Sequence, residues 1–235
     1  MVLESQGNAL SCKAILIYYL PVLISSLAFF WIAQMIGQMN RQCGHIAKLG
    51  LFFTVSGGLL KATEKAIWAS TGEPMLWMRN SLFILTGLGF AYLAWALWSG
   101  RRGLQGAAQG SVWLPPILFS AVALSVITYA AMMLPGRTWF FISLGIAVIS
   151  NVTLIGLLIA LSVRIKDPIA ALLFGAYIIS VFALAGLSRS PSPTINIEWI
   201  KQAMNTLAAV ILGAAAWRLS RNASLEATFN PALSK

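Results

Sequence analysis

The chain has 235 residues, 59% of them hydrophobic and only 9% charged, with a mean hydropathy of +0.81. A soluble domain carries roughly 25% charged residues, so a water-soluble globule is excluded and an integral membrane protein is implied. The net charge of +10 then reads as cations gathered at helix ends beside anionic lipid rather than as a nucleic-acid surface, and no basic run with interleaved aromatics argues otherwise.

Helix 1 is expected over about residues 13–38, nearly all apolar, with Pro21 as a possible kink and Tyr18, Tyr19, Ser25, Ser26 and Gln34 available for interhelical hydrogen bonds. The first ten residues lack the basic region of a cleavable signal, so this segment is expected to be retained. Cys12 and Cys43 bracket it. A span holds its ends roughly 30 Å apart, far beyond the ~7 Å that disulfide Cα atoms tolerate, so the two do not pair. Asn40 to His45 reads as a basic connector.

Helix 2, about 46–70, holds the stretch that matters most. Lys61, Glu64 and Lys65 sit at i, i+3 and i+4 inside an otherwise apolar span, so a helix carries all three on one face. With Trp68 at the interface, Lys61 lies roughly 10 Å into the apolar layer. A charge there costs on the order of 2.5–3.5 kcal/mol and must meet other helices, a wet cavity or a ligand. The short turn Thr71-Gly72-Glu73-Pro74 makes helices 2 and 3 antiparallel neighbours.

Helix 3, about 75–99, opens with Arg79 and Asn80 near the depth of Lys65, then becomes Gly-rich at Gly87 and Gly89, which permits close backbone approach. Helix 4 is expected at 112–133, with Pro115-Pro116 tolerated in its first turn. Helix 5 is expected at 139–163 with Thr138 as N-cap, and helix 6 at 169–187 with Asp167 as N-cap before Pro168. Helix 7 follows a Ser/Pro linker, at about 195–219. Its opening places Glu198, Lys201, Gln202 and Asn205 at i, i+3, i+4 and i+7, a polar stripe on one face. Gly156/Ala160, Ala171/Gly175 and Ala209/Gly213 mark contact faces on helices 5, 6 and 7.

The fold expected is therefore all-α: one transmembrane domain over residues 1–235, a seven-helix bundle. Arg41, Lys48, Arg101, Arg102, Arg164, Lys166, Arg218, Arg221 and Lys235 fall on one side, against Lys13, Arg137 and Arg189 on the other. This bias sets the N-terminus outside and the C-terminus in the cytoplasm of a plasma (inner) membrane. Trp68, Trp77, Trp139 and Trp199 then line the outer interface and Trp113 the inner one.

Under this topology Lys61, Glu64 and Lys65, Arg79 and Asn80, and Glu198, Lys201, Gln202 and Asn205 all fall in the outer leaflet. Four cations face two carboxylates there, which suits an anionic group: a carboxylate, a phosphate-bearing solute or a lipid headgroup. Alternatively the carboxylates pair with the cations and merely lock helices 2, 3 and 7 together. Besides the bilayer, a small anionic solute and a membrane-protein partner are the partners in view; no nucleic acid is. No metal or cofactor is expected, since His45 is the lone histidine and lies at an interface. A retinal lysine would sit mid-helix 7, where the chain reads Ala208-Ala209-Val210-Ile211-Leu212, so microbial rhodopsins are no guide. Asn151, with Ser150 and Thr153, suits a hydrogen bond across helices. The function expected is a small-solute transporter, with a non-catalytic sensor or accessory subunit as the alternative; catalysis finds no nucleophile–base spacing.

Overall fold

Seven helices follow one another: α1 (Val2–Met39), α2 (Arg41–Thr71), α3 (Leu76–Leu104), α4 (Leu114–Met133), α5 (Thr138–Arg164), α6 (Pro168–Leu187) and α7 (Ile195–Ser220). The computed structural model describes residues 2–104, 111–187 and 195–222, apart from the side chains of 1–17, 69, 104, 195, 196 and 198. Every helix contains a stretch long and apolar enough to cross a membrane. The chain is a polytopic, all-α membrane protein, as its composition implies.

Several ends differ from the sequence reading. The connector expected over Asn40–His45 is a single residue: α1 runs to Met39 and α2 starts at Arg41. Asn40 is extended (φ −157°, ψ 127°), and its side-chain oxygen accepts from the amides of Gln42 at 2.8 Å and Cys43 at 3.2 Å. One good cap thus replaces a loop. The reversal also needs two glycines, because a Cβ on Gly44 would stand 2.6 Å from the Gly37 Cα. At the far end of α2, Gly72 closes the helix in the left-handed region (φ 75°), its amide donating to the Trp68 carbonyl at 2.9 Å.

α3 runs on past Ser99 to carry Arg101 and Arg102 in its last turn, where cations complement the carbonyl end of a helix. Thr138 is not the N-cap of α5 but its first residue. Arg137 holds the cap position with no side-chain bond, and the Thr138 hydroxyl donates to the Pro135 carbonyl at 3.0 Å. Asp167 does cap α6, its Oδ1 accepting from the Ala170 amide at 3.1 Å.

α1, α2, α3, α5, α6 and α7 pack in that cyclic order into a closed ring, with α1 also touching α3 across it. α4 stands outside, against α5 and the edge of α3. α2 and α3 are neighbours, as the short turn requires, and their backbones meet at Gly50 and Gly89, where a Cβ on Gly50 would lie 2.8 Å from the Gly89 carbonyl. The contact faces expected on α5 and α6 are not there: Gly156 and Gly175 have open space where a Cβ would go, and Gly156 and Ala160 are exposed. Small residues permit close packing but do not compel it. The α7 pair does face a neighbour, with Gly213 against Ile24 of α1.

Burial is unequal along the bundle axis. The continuous apolar core is built from Ala28–Met39 of α1, Cys43–Ala47 of α2, Tyr92–Leu97 of α3, Leu154–Ile165 of α5, Ala170–Tyr177 of α6 and Ala208–Leu219 of α7. All of these lie in the half that contains Asn40. In the half that contains Gly72, α6 has no buried residue beyond Tyr177, and in α7 only Gln202 is buried among the described side chains before Ala208.

Candidate functional site

Chain direction carries residues 61–65, 79–80 and 198–205 to the same end of the bundle, the Gly72 end. α2 turns back into α3 at Gly72, and α7 starts at this end because its C-terminus meets the start of α6 at the other. Within α2, the Lys61 Nζ donates to Glu64 Oε2 at 3.0 Å, the lysine side chain 25% exposed and the carboxylate only 2%. Spacing of i, i+3 brings the two groups together on one turn. Lys61 also feels the charges of Lys65 and of Arg79 on the facing helix, so α2 and α3 share one electrostatic cluster. Arg79 is half-buried and has no carboxylate partner among the described residues. Next to it, Asn80 Oδ1 is buried with no hydrogen-bond partner among them, an uncommon state for a buried carbonyl oxygen.

α1 contributes groups that sequence reasoning had not assigned to the site. The Tyr19 hydroxyl and Thr63 Oγ1 lie 2.9 Å apart, and the Lys65 ammonium sits 5.3 Å from the centre of the Tyr18 ring, within cation–π range. The polar cluster is thus held by α1, α2 and α3. The signal was the Tyr18-Tyr19 pair, polar-tipped aromatics near the start of an apolar helix. Ser26, by contrast, spends its hydroxyl on the Val22 carbonyl of its own helix at 2.6 Å.

The α7 residues are placed differently. α7 packs on α1 and α6, so α1 stands between it and α2. Lys201 is half-buried and Gln202 buried, and both are engaged in polar or electrostatic interactions. Asn205 is exposed. The Glu198 side chain lies outside the described residues. Among the described residues no three His, Cys, Asp or Glu side chains gather in a way that could hold a metal ion.

A second polar cluster, missed as a cluster from the sequence, closes the opposite end. Asp167 accepts from Arg218 Nε at 2.9 and 3.0 Å, from Asn222 Nδ2 at 3.1 Å and from the Ala170 amide. Burial pushes the Asp167 carboxyl up, but these donors and the guanidinium charge outweigh it and hold the group below its ordinary value. The available clue was that a carboxylate so rare in this chain sits among cations. In mid-bundle, the Tyr177 hydroxyl meets Asn151 across α5 and α6, while Thr153 bonds the Ile149 carbonyl of its own helix. Compared with known protein families, curated proteins and solved structures, the chain matches none.

Proposed function

We propose that the protein is a small-solute transporter, permease-like in plan, which receives an anionic group at the Gly72 end through Arg79, Asn80, Lys61 and Lys65, with Lys201, Gln202 and Asn205 of α7 and Glu198 on the far side. The observation that carries the reading is the unequal burial of the bundle: a dry, continuous core across six helices in one half, and ionisable side chains with sparse packing in the other. That is the plan of a site open to one face of the membrane and sealed from the other. Arg79 supports the anionic class, since a half-buried guanidinium without a carboxylate favours a planar carboxylate or phosphate. The distribution of lysine and arginine supports setting the Gly72 end outside, in a plasma (inner) membrane.

The test is thermal stabilisation of the purified protein by a panel of small carboxylates and phosphates. At least one anion is expected to raise the melting temperature, and Arg79→Gln to abolish that rise. An identical rise in the variant, or no rise with any anion, overturns the reading. A second reading, an accessory subunit of a larger membrane complex, is favoured by the Lys61–Glu64 pair, which neutralises itself within α2, and by α4, which presents a largely apolar surface outside the ring. A stoichiometric membrane-protein partner after mild solubilisation would select it.

A further inference from the structure

At the Asn40 end, α3 and α5 finish side by side, and each brings an arginine to the junction. Arg101 is half-buried and points its Nη1 across to the Leu157 carbonyl of α5 at 3.5 Å, a long and weak contact. Arg164, exposed in the last turn of α5, is close enough for the two positive charges to act on one another. Neither arginine has a carboxylate partner among the described residues. The residues of α3, α4 and α5 include no Asp or Glu at all. Asp167, the nearest acidic residue in sequence, is saturated by Arg218, Asn222 and the Ala170 amide. Helix carbonyl ends tolerate one cation each, but two guanidinium groups drawn together with one partly desolvated call for a shared counter-charge.

The aromatic neighbours fix the level of this junction. Arg102 stacks 4.8 Å over Trp98, which in turn lies 5.0 Å from Trp95, and on α7 Arg221 stacks 5.2 Å over Trp217. Tryptophans with arginines lying on them belong at the headgroup layer of a bilayer. We propose that Arg101 and Arg164 form a binding site for a phosphate group in the cleft between the ends of α3 and α5, bridged by the two guanidinium forks. The phosphate is that of an anionic phospholipid headgroup or a free phosphate ion, and the site is separate from the one at the Gly72 end.

Full-length protein in neutral detergent is titrated with phosphatidylglycerol, with phosphatidylcholine and with inorganic phosphate, and bound ligand and melting temperature are followed by native mass spectrometry and thermal unfolding. Phosphatidylglycerol is expected to bind and stabilise, with phosphatidylcholine weaker; stabilisation by inorganic phosphate to the same extent would identify the free ion as the ligand. Arg164→Gln, which alters an exposed side chain and leaves the packing intact, is expected to weaken binding about fivefold, and Arg101→Gln at least as much, while Arg102→Gln binds as the unaltered protein does. Failure of all three ligands to bind, or equal binding by the Arg164 and Arg102 variants, overturns the site.

Discussion

Glu64 and Asp167 stand at opposite ends of the bundle and are equally hidden, each side chain 2% exposed, yet they are held in different ways. Asp167 collects donors from three places in the chain: the first turn of α6, the last turn of α7 and Asn222 beyond it. Glu64 receives its hydrogen bond from Lys61, one turn earlier in the same helix. A carboxylate satisfied from other segments ties those segments together, whereas one satisfied within its own helix leaves the neighbouring helices free to shift past it. The closed half of the bundle therefore uses charge as a fastener, and the sparsely packed half keeps charge without fastening helices by it.

The largest effect is expected at Glu64. Glu64→Gln leaves Lys61 in the apolar layer with no anion, and removing one partner of a buried pair is worth about 3–5 kcal/mol. Denaturant unfolding in detergent should show this loss beside an unaffected Glu73→Gln, whose site is exposed. A loss under about 0.5 kcal/mol, the surface range, would remove the contrast between the ends, because Glu64 would then be an ordinary solvated group. Asp167→Asn should follow at about 2–3 kcal/mol, less than Glu64 because asparagine can still cap α6.

Asp167 also predicts a pH dependence. Its folded-state pKa lies below the ordinary 3.8, so the unfolded chain takes up the proton first. The stabilisation is complete well above pH 3.8 and is lost as pH falls through the lower, folded value. The acid limb of a stability–pH profile should therefore flatten in Asp167→Asn; an unchanged limb would show that another group governs it.

How much of this was legible in the sequence follows from how local each cause is. Seven spans, the α2/α3 hairpin and the Asp167-Pro168 start of α6 follow from apolar runs, a four-residue turn and a capping pair, all short-range signals. The Lys61–Glu64 bond is equally local, one helical turn. What could not be read was lateral order. Periodicity says which residues share a helix face but not which helix that face meets, so α1 between α2 and α7 was not foreseen, nor was α4 outside the ring. The Asn40 reversal was hidden because Arg41–His45 looks polar enough for a loop, while the deciding fact is the contact of Gly37 with Gly44, seven residues apart.

That contact supplies the next test. Gly44→Ala sets a methyl 2.6 Å from a backbone atom, which can move only by opening the α1/α2 hairpin, and overpacking of this kind costs about 1–3 kcal/mol. Gly58→Ala, in the other half, meets the Val22 side chain at 3.1 Å, and a side chain can give by a few tenths of an ångström. The first substitution should destabilise clearly more than the second. Equal losses would mean that the two halves are equally rigid, and the contrast in burial would carry no mechanical meaning.

The smallest expected effect is a gain, at the junction of α5 and α6. The amides of Lys166 and Asp167 donate to the carbonyls of Val163 and Ser162 at 3.1 and 2.9 Å, the paired bonds that end a helix through a left-handed residue. Glycine is the usual occupant, but here Lys166 takes the position at φ 60°, where a Cβ crowds the following carbonyl. Lys166→Gly should relieve that crowding and raise stability by about 0.5–1 kcal/mol, part of the relief being offset by the greater freedom of glycine in the unfolded chain. Lys166→Ala removes the same charge and keeps the Cβ, so it should give no such gain. If alanine stabilises as much as glycine, the source is repulsion among the cations at this end rather than backbone strain, and the phosphate-binding arginines nearby would be the first place to look for it.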